Sequence, residues 1–316
     1  MATEREAFDE RFAWLRRHAD GNRDIDMLDC IYADRAVVLR HGTPPPDEWL
    51  SPLSIAGLRV RLPRRSAPAS LDSLVEHLRD RVHARVPGFS AQDAGVVLDI
   101  GANEGIYAAC RFAENPEVRV ISVEPVPRTF RVLTETLLSN RKPRSGNHSS
   151  RCVAVRALAG APVFASRSPG DFLEWSPQVS TIASRTLSSH GPRWAKLLAT
   201  GTLRCPVISV DLLCGVRGID HIDLLKVDVE GDELQVLAGS RHMLPRTARV
   251  VVEFHGRRMA SSCRQLLEAY GFRIVHTDRG PVGDLYAERA TLQHVDQQIA
   301  DCRADKKVRE SCQYQL

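Results

Sequence analysis

Residues 96–105 constrain the fold of this chain more than any other stretch. Val96, Val97, Leu98, Asp99 and Ile100 make a short, β-branched, apolar run broken by one acid. That is the pattern of a parallel strand buried on both faces. Gly101 and Gly105 follow, and without a Cβ they let the backbone turn tightly and approach a ligand closely. Helix-compatible residues resume at Ile106, so the turn sits at a helix N-terminus. Strand, glycine turn and helix in this order make a site for a nucleoside-bearing cofactor at the carboxyl end of a sheet.

The rest of the chain has room for such a domain. Its 316 residues, 43% hydrophobic and 26% charged, suit one large α/β domain with an appendage. The net charge of +4 comes from 43 basic and 39 acidic residues spread along the whole length. No concentrated basic face results, so nucleic acid is not an expected partner. The basic runs at 61–65 and 141–144 read as solvated loops. Eight cysteines, none in a CxxC pair, read as thiols of a reducing compartment, against zinc and against a disulfide framework. The charged first 17 residues lack the apolar centre of a signal peptide, and no apolar run is long enough to span a membrane. The expectation is a cytoplasmic protein without membrane contact, in which the sequon at Asn147 has no use.

Three regions are expected: a cap or accessory segment over 1–90, the main domain over 91–287, and a polar tail over 288–316. Within the cap, Phe8, Phe12, Trp14 and Leu15 predict an amphipathic first helix. The alternation at 55–62, framed by prolines, predicts a strand or hairpin. Leu71, Leu74, Val75, Leu78 and Val82 predict a helix over 70–85. From residue 95, strands and helices alternate: strands at 118–124, 152–158, 222–228, 249–254 and from 272, helices at 129–138, 233–244 and 261–270. This calls for an α/β fold, a mostly parallel sheet with helices on both faces. The polar, proline- and glycine-rich stretch 166–201 is expected to be a lid-like insertion.

Glu124 ends the second strand, where a carboxylate suits a ribose, since it accepts hydrogen bonds from both hydroxyls. That fits a nicotinamide dinucleotide equally well. The turn discriminates: a dinucleotide fingerprint is GxGxxG, and here Gly101 and Gly105 flank Ala102, Asn103 and Glu104. Glu104 is read as placing negative charge where a pyrophosphate would lie. S-adenosylmethionine has no phosphate and carries a cationic sulfonium and amine, which acidic neighbours favour.

Three blocks in order then resemble the FkbM-type methyltransferases. They are Val97 through Gly105; Ser122, Val123, Glu124 and Pro125; and the run 222–234 containing Leu225, Lys226, Val227, Asp228, Val229, Glu230 and Gly231. Residues 207–213 before the third block, and Val252, Glu253, Phe254 and His255 after it, are similar too. The resemblance covers roughly residues 95–276. It implies a class I, Rossmann-like methyltransferase fold and S-adenosylmethionine-dependent methylation, usually of a hydroxyl oxygen on a sugar or secondary metabolite. It also implies that Asp99, Gly101, Ala102, Asn103, Gly105, Glu124 and Pro125 hold the donor. Where such relatives often place a polar or acidic residue near adenine, this chain has Arg156, Ala157, Leu158 and Ala159.

Methyl transfer from a sulfonium is an in-line displacement that needs alignment and removal of one proton. Asp228 and Glu230 leave the fourth strand, Glu253 and His255 the fifth, and these adjacent tips are the candidate catalytic set. Asp228 also suits a helix cap, and Glu230 a favourable helix dipole. Glu253 interrupts an apolar strand, which is costly unless paired. His255 has the ordinary chemistry of a base near neutral pH. Lys226, between buried Leu225 and Val227, is expected to pair with a carboxylate. Ser180 and Thr181 read as loop residues, and His190, His221, His242 and His276 as structural. No divalent metal is expected, although a metal-assisted alternative would use Asp228, Glu230 and Glu253 as oxygen ligands. Two further alternatives are an NAD-dependent oxidoreductase and a non-catalytic donor-binding module. The expected partner is a small-molecule or glycan acceptor.

Overall fold

The computed structural model describes residues 4–41, 48–64, 66–92, 94–140, 148–151, 154–155, 169–174, 180–182 and 201–290. Glu4–Arg17 (α1) turns Phe8, Phe12 and Leu15 inward, the amphipathic helix expected from their spacing. Asn22–His41 (α2), a stretch to which the sequence reading assigned no element, packs beside it with Leu28 and Ile31 buried. Leu53–Ile55 (β1) and Leu58–Val60 (β2) form an antiparallel hairpin close to the expected place. Ala67–Leu78 (α3) ends well before residue 85. It stops because Arg81 and His83 take φ of 52° and 66°, left-handed values that no right-handed helix accommodates.

The alternating part runs Val96–Ile100 (β3), Ile106–Glu114 (α4), Arg119–Val123 (β4), Pro127–Asn140 (α5), His148–Arg151 (β5), Ala154–Val155 (β6), Pro169–Glu174 (β7), Ser180–Ile182 (β8) and Gly201–Ile208 (β9). Val210–Arg217 (α6), Ile222–Val227 (β10), Glu233–Ala238 (α7), Thr247–His255 (β11), Arg257–Ala269 (α8), Phe272–Thr277 (β12) and Val282–Arg289 (β13) follow. The main sheet has the order β12-β13-β11-β10-β3-β4-β5. Strands β11, β10, β3, β4 and β5 run parallel, and β13 is antiparallel to both β11 and β12. This is the mostly parallel, Rossmann-like sheet that the βα alternation demanded.

Several elements differ from expectation, among them α7, which ends at Ala238 where a helix over 233–244 was expected, and α6, which no expected element covered. The strand expected at 152–158 is divided: β5 lies earlier, beside β4, while β6 pairs with β9 in a separate four-stranded sheet of order β6-β9-β7-β8. The stretch expected as an insertion thus contributes β7 and β8, and the remainder of 156–200 lies outside the described residues. Strand β13 was not anticipated at all. It buries Leu285, Tyr286 and Ala287 and continues to Arg289.

Alternation along each strand sends residues to two cores. Val97, Val120, Leu224 and Val251 face one side, where Tyr107 of α4 and Leu133 of α5 meet Leu74 of α3 and Leu15 of α1. Leu98, Ile121, Leu225 and Val252 face the other, against Leu213 of α6, Val236 of α7 and Leu267 of α8. The N-terminal elements therefore share a core with the α4–α5 side of the sheet. Truncating a buried Leu in either cluster to Ala costs roughly 2–5 kcal/mol. Among the described residues no helix is long and apolar enough to cross a membrane.

Candidate functional site

Strand order reverses between β3 and β10: later β-strands on one side lead to β4 and β5, on the other to β11. In an open α/β sheet the crevice beyond the carboxyl ends at such a switch is where ligands bind. The glycine turn fills the floor of this crevice. Gly101 and Ala102 donate backbone hydrogen bonds to the Val123 carbonyl at 3.0 and 2.9 Å, and Asp228 donates to the Ile100 carbonyl at 3.0 Å. Gly101 has φ +78°, and a Cβ there would lie 1.6 Å from the Asp228 carbonyl oxygen. Only glycine permits this approach of the turn to the end of β10.

Residues expected to hold a donor come together around that turn. Glu124 Oε2 accepts from the Asn103 backbone at 3.1 Å, and its Oε1 accepts from Val126 at 2.9 Å across Pro125. One carboxylate thus ties the glycine turn to the loop after β4. Burial pushes the Glu124 carboxyl up to about 7, against the pull of those two backbone donors. Each oxygen keeps a lone pair for a ligand hydroxyl. Asn103 sits at φ 47° beside Gly105, which begins α4, and Asn103 Oδ1 is buried without a hydrogen-bond partner among the described residues. Asp99 does not open into the crevice. It is 0% exposed beneath the turn and faces Lys226 Nζ at 3.3 Å, so it reaches a ligand only through the turn.

Glu104 corrects the sequence reading. It is buried rather than placed at a pyrophosphate position, and it hydrogen-bonds Ser66 and Ser70 at the start of α3. The N-terminal segment covers α4, and Glu104 belongs to that contact. Its charge is therefore no argument about the cofactor.

Lys226 meets the expectation that it pairs with a carboxylate, and it pairs with two: Asp99 at 3.3 Å and Asp228 Oδ2 at 3.2 Å. Burial alone would discharge this ammonium, but Asp228 and Asp99 raise its pKa instead. Burial likewise opposes ionisation of Asp228, yet Lys226 and His83 hold it well below the usual carboxylate range. Glu253, on β11 next to β10, is pushed up to about 7 by burial and by the Asp228 charge. Asp228 and Glu253 remain 24% and 25% exposed, enough for an acceptor to touch.

Glu230 and His255 form a second group. Nε2 of His255 lies 3.0 Å from Glu230 Oε2, and its Nδ1 lies 2.8 Å from Glu233 Oε1 at the start of α7. Burial opposes the imidazolium, but these two carboxylates hold it protonated, up to about 11. With both ring nitrogens engaged, His255 has no lone pair to receive a proton, which corrects its reading as a base. Glu230 is committed to His255 and is displaced from the oxygen set considered for a metal. Among the described residues, the groups close enough to share an ion are Asp228, Glu253 and His255, and His83, Glu253 and Asp284.

His83 and Asp284 were not singled out from sequence. His83 is 2% exposed, and its Nδ1 lies 2.9 Å from Asp284 Oδ1. Its Nε2 faces Glu253 Oε2 at 3.4 Å and Asp228 Oδ2 at 3.8 Å. The carboxylates Asp228 and Asp284 outweigh burial and raise the imidazole to about 9. No local pattern marks His83, which is 201 positions from its partner. An acid two places before a buried tyrosine in β13 was the one available hint. The stretch 156–159 lies outside the described residues, as do the side chains of Ser180 and Thr181.

The model of the Methyltransferase FkbM domain family matches residues 99–274. The 31-O-demethyl-FK506 methyltransferase FkbM of Streptomyces tacrolimicus is 30% identical over 214 residues, covering 63% of this chain and 80% of that protein. The 2-O-methyltransferase NoeI of Sinorhizobium fredii is 26% identical over 175 residues, 55% of this chain and 69% of NoeI. The AMB antimetabolite synthetase AmbE of Pseudomonas aeruginosa is 27% identical over 219 residues, 62% of this chain, which spans 10% of that much longer protein.

Proposed function

The chain belongs to the FkbM methyltransferase family, and from that premise we propose that it moves a methyl group from S-adenosylmethionine to a hydroxyl oxygen of a sugar or secondary metabolite. The observation that carries this reading is the contact between Gly101 and Asp228, which sets the donor-side turn directly against the strand tips bearing Asp228 and Glu253. The names of two relatives, FkbM and NoeI, support oxygen as the methylated atom. The dinucleotide alternative falls with the family assignment.

The crevice residues fit a donor with a ribose and a cationic sulfur. Glu124 offers lone pairs at the second strand tip, Asn103 Oδ1 is buried without a partner, and the carboxylates of Asp228, Glu230 and Glu253 line the opposite wall. When bound, the donor supplies an electrophilic methyl on positively charged sulfur. Glu253 is the candidate base: its carboxylate, with a pKa near working pH, takes the proton that the acceptor hydroxyl gives up. Asp228 stays ionised and orients the acceptor. The buried free thiols Cys110, Cys214 and Cys263 support a reducing, cytoplasmic setting.

The test is calorimetric titration of the chain with S-adenosylmethionine, followed by transfer of labelled methyl to a panel of methyl glycosides and hydroxylated macrolides. Binding in the micromolar range that weakens about tenfold in Glu124→Ala supports the reading. Absence of donor binding rejects it. Loss of transfer on exhaustive chelation would move the reading to a metal-assisted one.

A further inference from the structure

His83 enters the site from a part of the chain outside the span that matches the family, residues 99–274. Asp284 grips it twice: the His83 backbone N–H donates to Oδ2 at 3.3 Å, and Nδ1–H donates to Oδ1 at 2.9 Å. Asp284 is in turn fixed by the Tyr286 hydroxyl at 2.9 Å and by Arg85 at 3.2 Å. This double grip holds His83 at φ 66°, a conformation that a non-glycine residue keeps only when its surroundings enforce it. The consequence is that Nε2 points between Glu253 and Asp228.

We propose that His83 is a positioning residue of the methyl-transfer site, which aligns Glu253 with Asp228 and offsets the repulsion between the two carboxylates. The proposal rests on the reading of Glu253 as the base. It adds that the N-terminal segment completes the active site as well as covering it. Without a cation at this place, the charge of Asp228 would drive Glu253 toward its protonated form, in which it cannot take a proton.

The groups facing His83 come from every element around it. Strand β13 brings Asp284, β11 brings Glu253, and β10 brings Asp228 and Lys226. From α3, the His77 ring lies 5.8 Å away and Glu76 is within electrostatic reach; from α4, the Tyr107 ring lies 6.0 Å away. Lys226 and His77 do not supply the charge that His83 brings within 3.4 Å of Glu253, because Lys226 lies against Asp99 and Asp228, and His77 is held neutral by burial.

The experiment is carbon-13 NMR of the glutamate carboxyls in the full-length chain across pH, with Glu253 identified by its loss in Glu253→Gln. In His83→Gln the Glu253 midpoint is expected to climb by about one pH unit, and in Asp284→Asn to climb by less, because losing the Asp284 charge, which itself raises Glu253, works against the weakened His83. A purely structural His83 would lower the melting temperature of both variants and leave the midpoint in place, which overturns the proposal. Should neither variant fold, nitrogen-15 spectra of the wild-type histidines decide. His83 must carry protons on both ring nitrogens at pH ~8, with His255→Gln used to tell its signal from that of His255. A neutral His83 ring under those conditions also overturns the proposal. Methyl transfer separates the two readings: undiminished transfer by Glu253→Gln defeats the base assignment, whereas an unmoved midpoint with transfer lost in Glu253→Gln defeats the His83 inference alone.

Discussion

Lys226 Nζ donates a hydrogen bond of 2.8 Å to the carbonyl oxygen of Gly101, joining the inner end of β10 to the turn that leaves β3. The same ammonium neutralises Asp99 below the turn and Asp228 beside it. Lys226→Met removes all three contacts and leaves a fully buried carboxylate without its partner. A loss of about 3–5 kcal/mol of unfolding free energy is expected from urea titration, because breaking one side of a buried ion pair exposes the whole desolvation cost of the other. A loss under about 1 kcal/mol would show that Asp99 is protonated in the native chain and never needed the ammonium.

Gly101→Ala tests the close approach of turn and strand. The new methyl carbon would overlap the Asp228 carbonyl, and the left-handed φ adds about 1–2 kcal/mol of backbone strain. Donor affinity should fall at least tenfold, read by calorimetry, together with a lower melting temperature. Gly218→Ala is the matched control: it too has positive φ, +60°, but a Cβ there would meet nothing within 4 Å. It should lose only the strain and bind donor normally. Equal donor binding by both variants would sink the role given to the turn.

Much of this arrangement was legible in the sequence, for identifiable reasons. Strands β3, β4, β10 and β11 are buried on both faces, so they stand out as continuous apolar runs, and the residues that end them fall at the crevice by topology alone. Strand β13 stayed hidden because Gly283, Asp284 and Glu288 break its apolar run, although Leu285 and Tyr286 are fully buried. His83 stayed hidden because its meaning depends on a contact between the two ends of the fold. Glu104 was misread for the same cause: its partners Ser66 and Ser70 lie in a segment that sequence alone offered no reason to place over the turn. The candidate acids were legible as acids at strand tips, but which of them is paired was not. His255 shows this, since only the fold brings Glu230 and Glu233 to both sides of its ring.

That clamp gives His255 a signature in stability. Its folded pKa, about 11, lies above the ordinary 6.5. The contribution is therefore fully present below pH ~6.5 and is lost as pH rises through the folded value, with a slope of at most about 1.4 kcal/mol per pH unit. His255→Gln should flatten the decline of unfolding free energy between neutral and alkaline pH, measured by denaturant titration at several pH values. It should also move the acid limb of the pH–rate profile upward without abolishing it, because the His255 charge lowers the pKa of Glu253, the group proposed to set that limb. An acid limb that vanished in His255→Gln would return the role of base to the histidine.

Glu104 has the opposite chemistry and a separable prediction. Burial raises its carboxyl from the ordinary 4.5 to about 7, with Ser70 and Ser66 pulling the other way. A carboxyl raised in the folded state binds its proton more tightly there than in the unfolded chain, so stability falls as pH climbs from the ordinary value through the folded one. Glu104→Gln keeps the size and the hydrogen bonds to the serines but cannot ionise. It should be more stable than the wild type at pH ~8 by about 2–4 kcal/mol and nearly equal to it at pH ~4. Glu104→Ala, which leaves a cavity under α3, should be less stable than Glu104→Gln at both, since Ser66 and Ser70 keep their backbone acceptors Pro63 and Ser66 in either variant. Because the side chain faces the N-terminal segment and not the crevice, donor affinity should change by less than about twofold in Glu104→Gln, an energy smaller than one hydrogen bond. A tenfold loss of affinity without loss of stability would mean that this carboxylate turns toward the donor when the donor is bound, and that the contact with Ser66 and Ser70 is the resting state of a moving side chain.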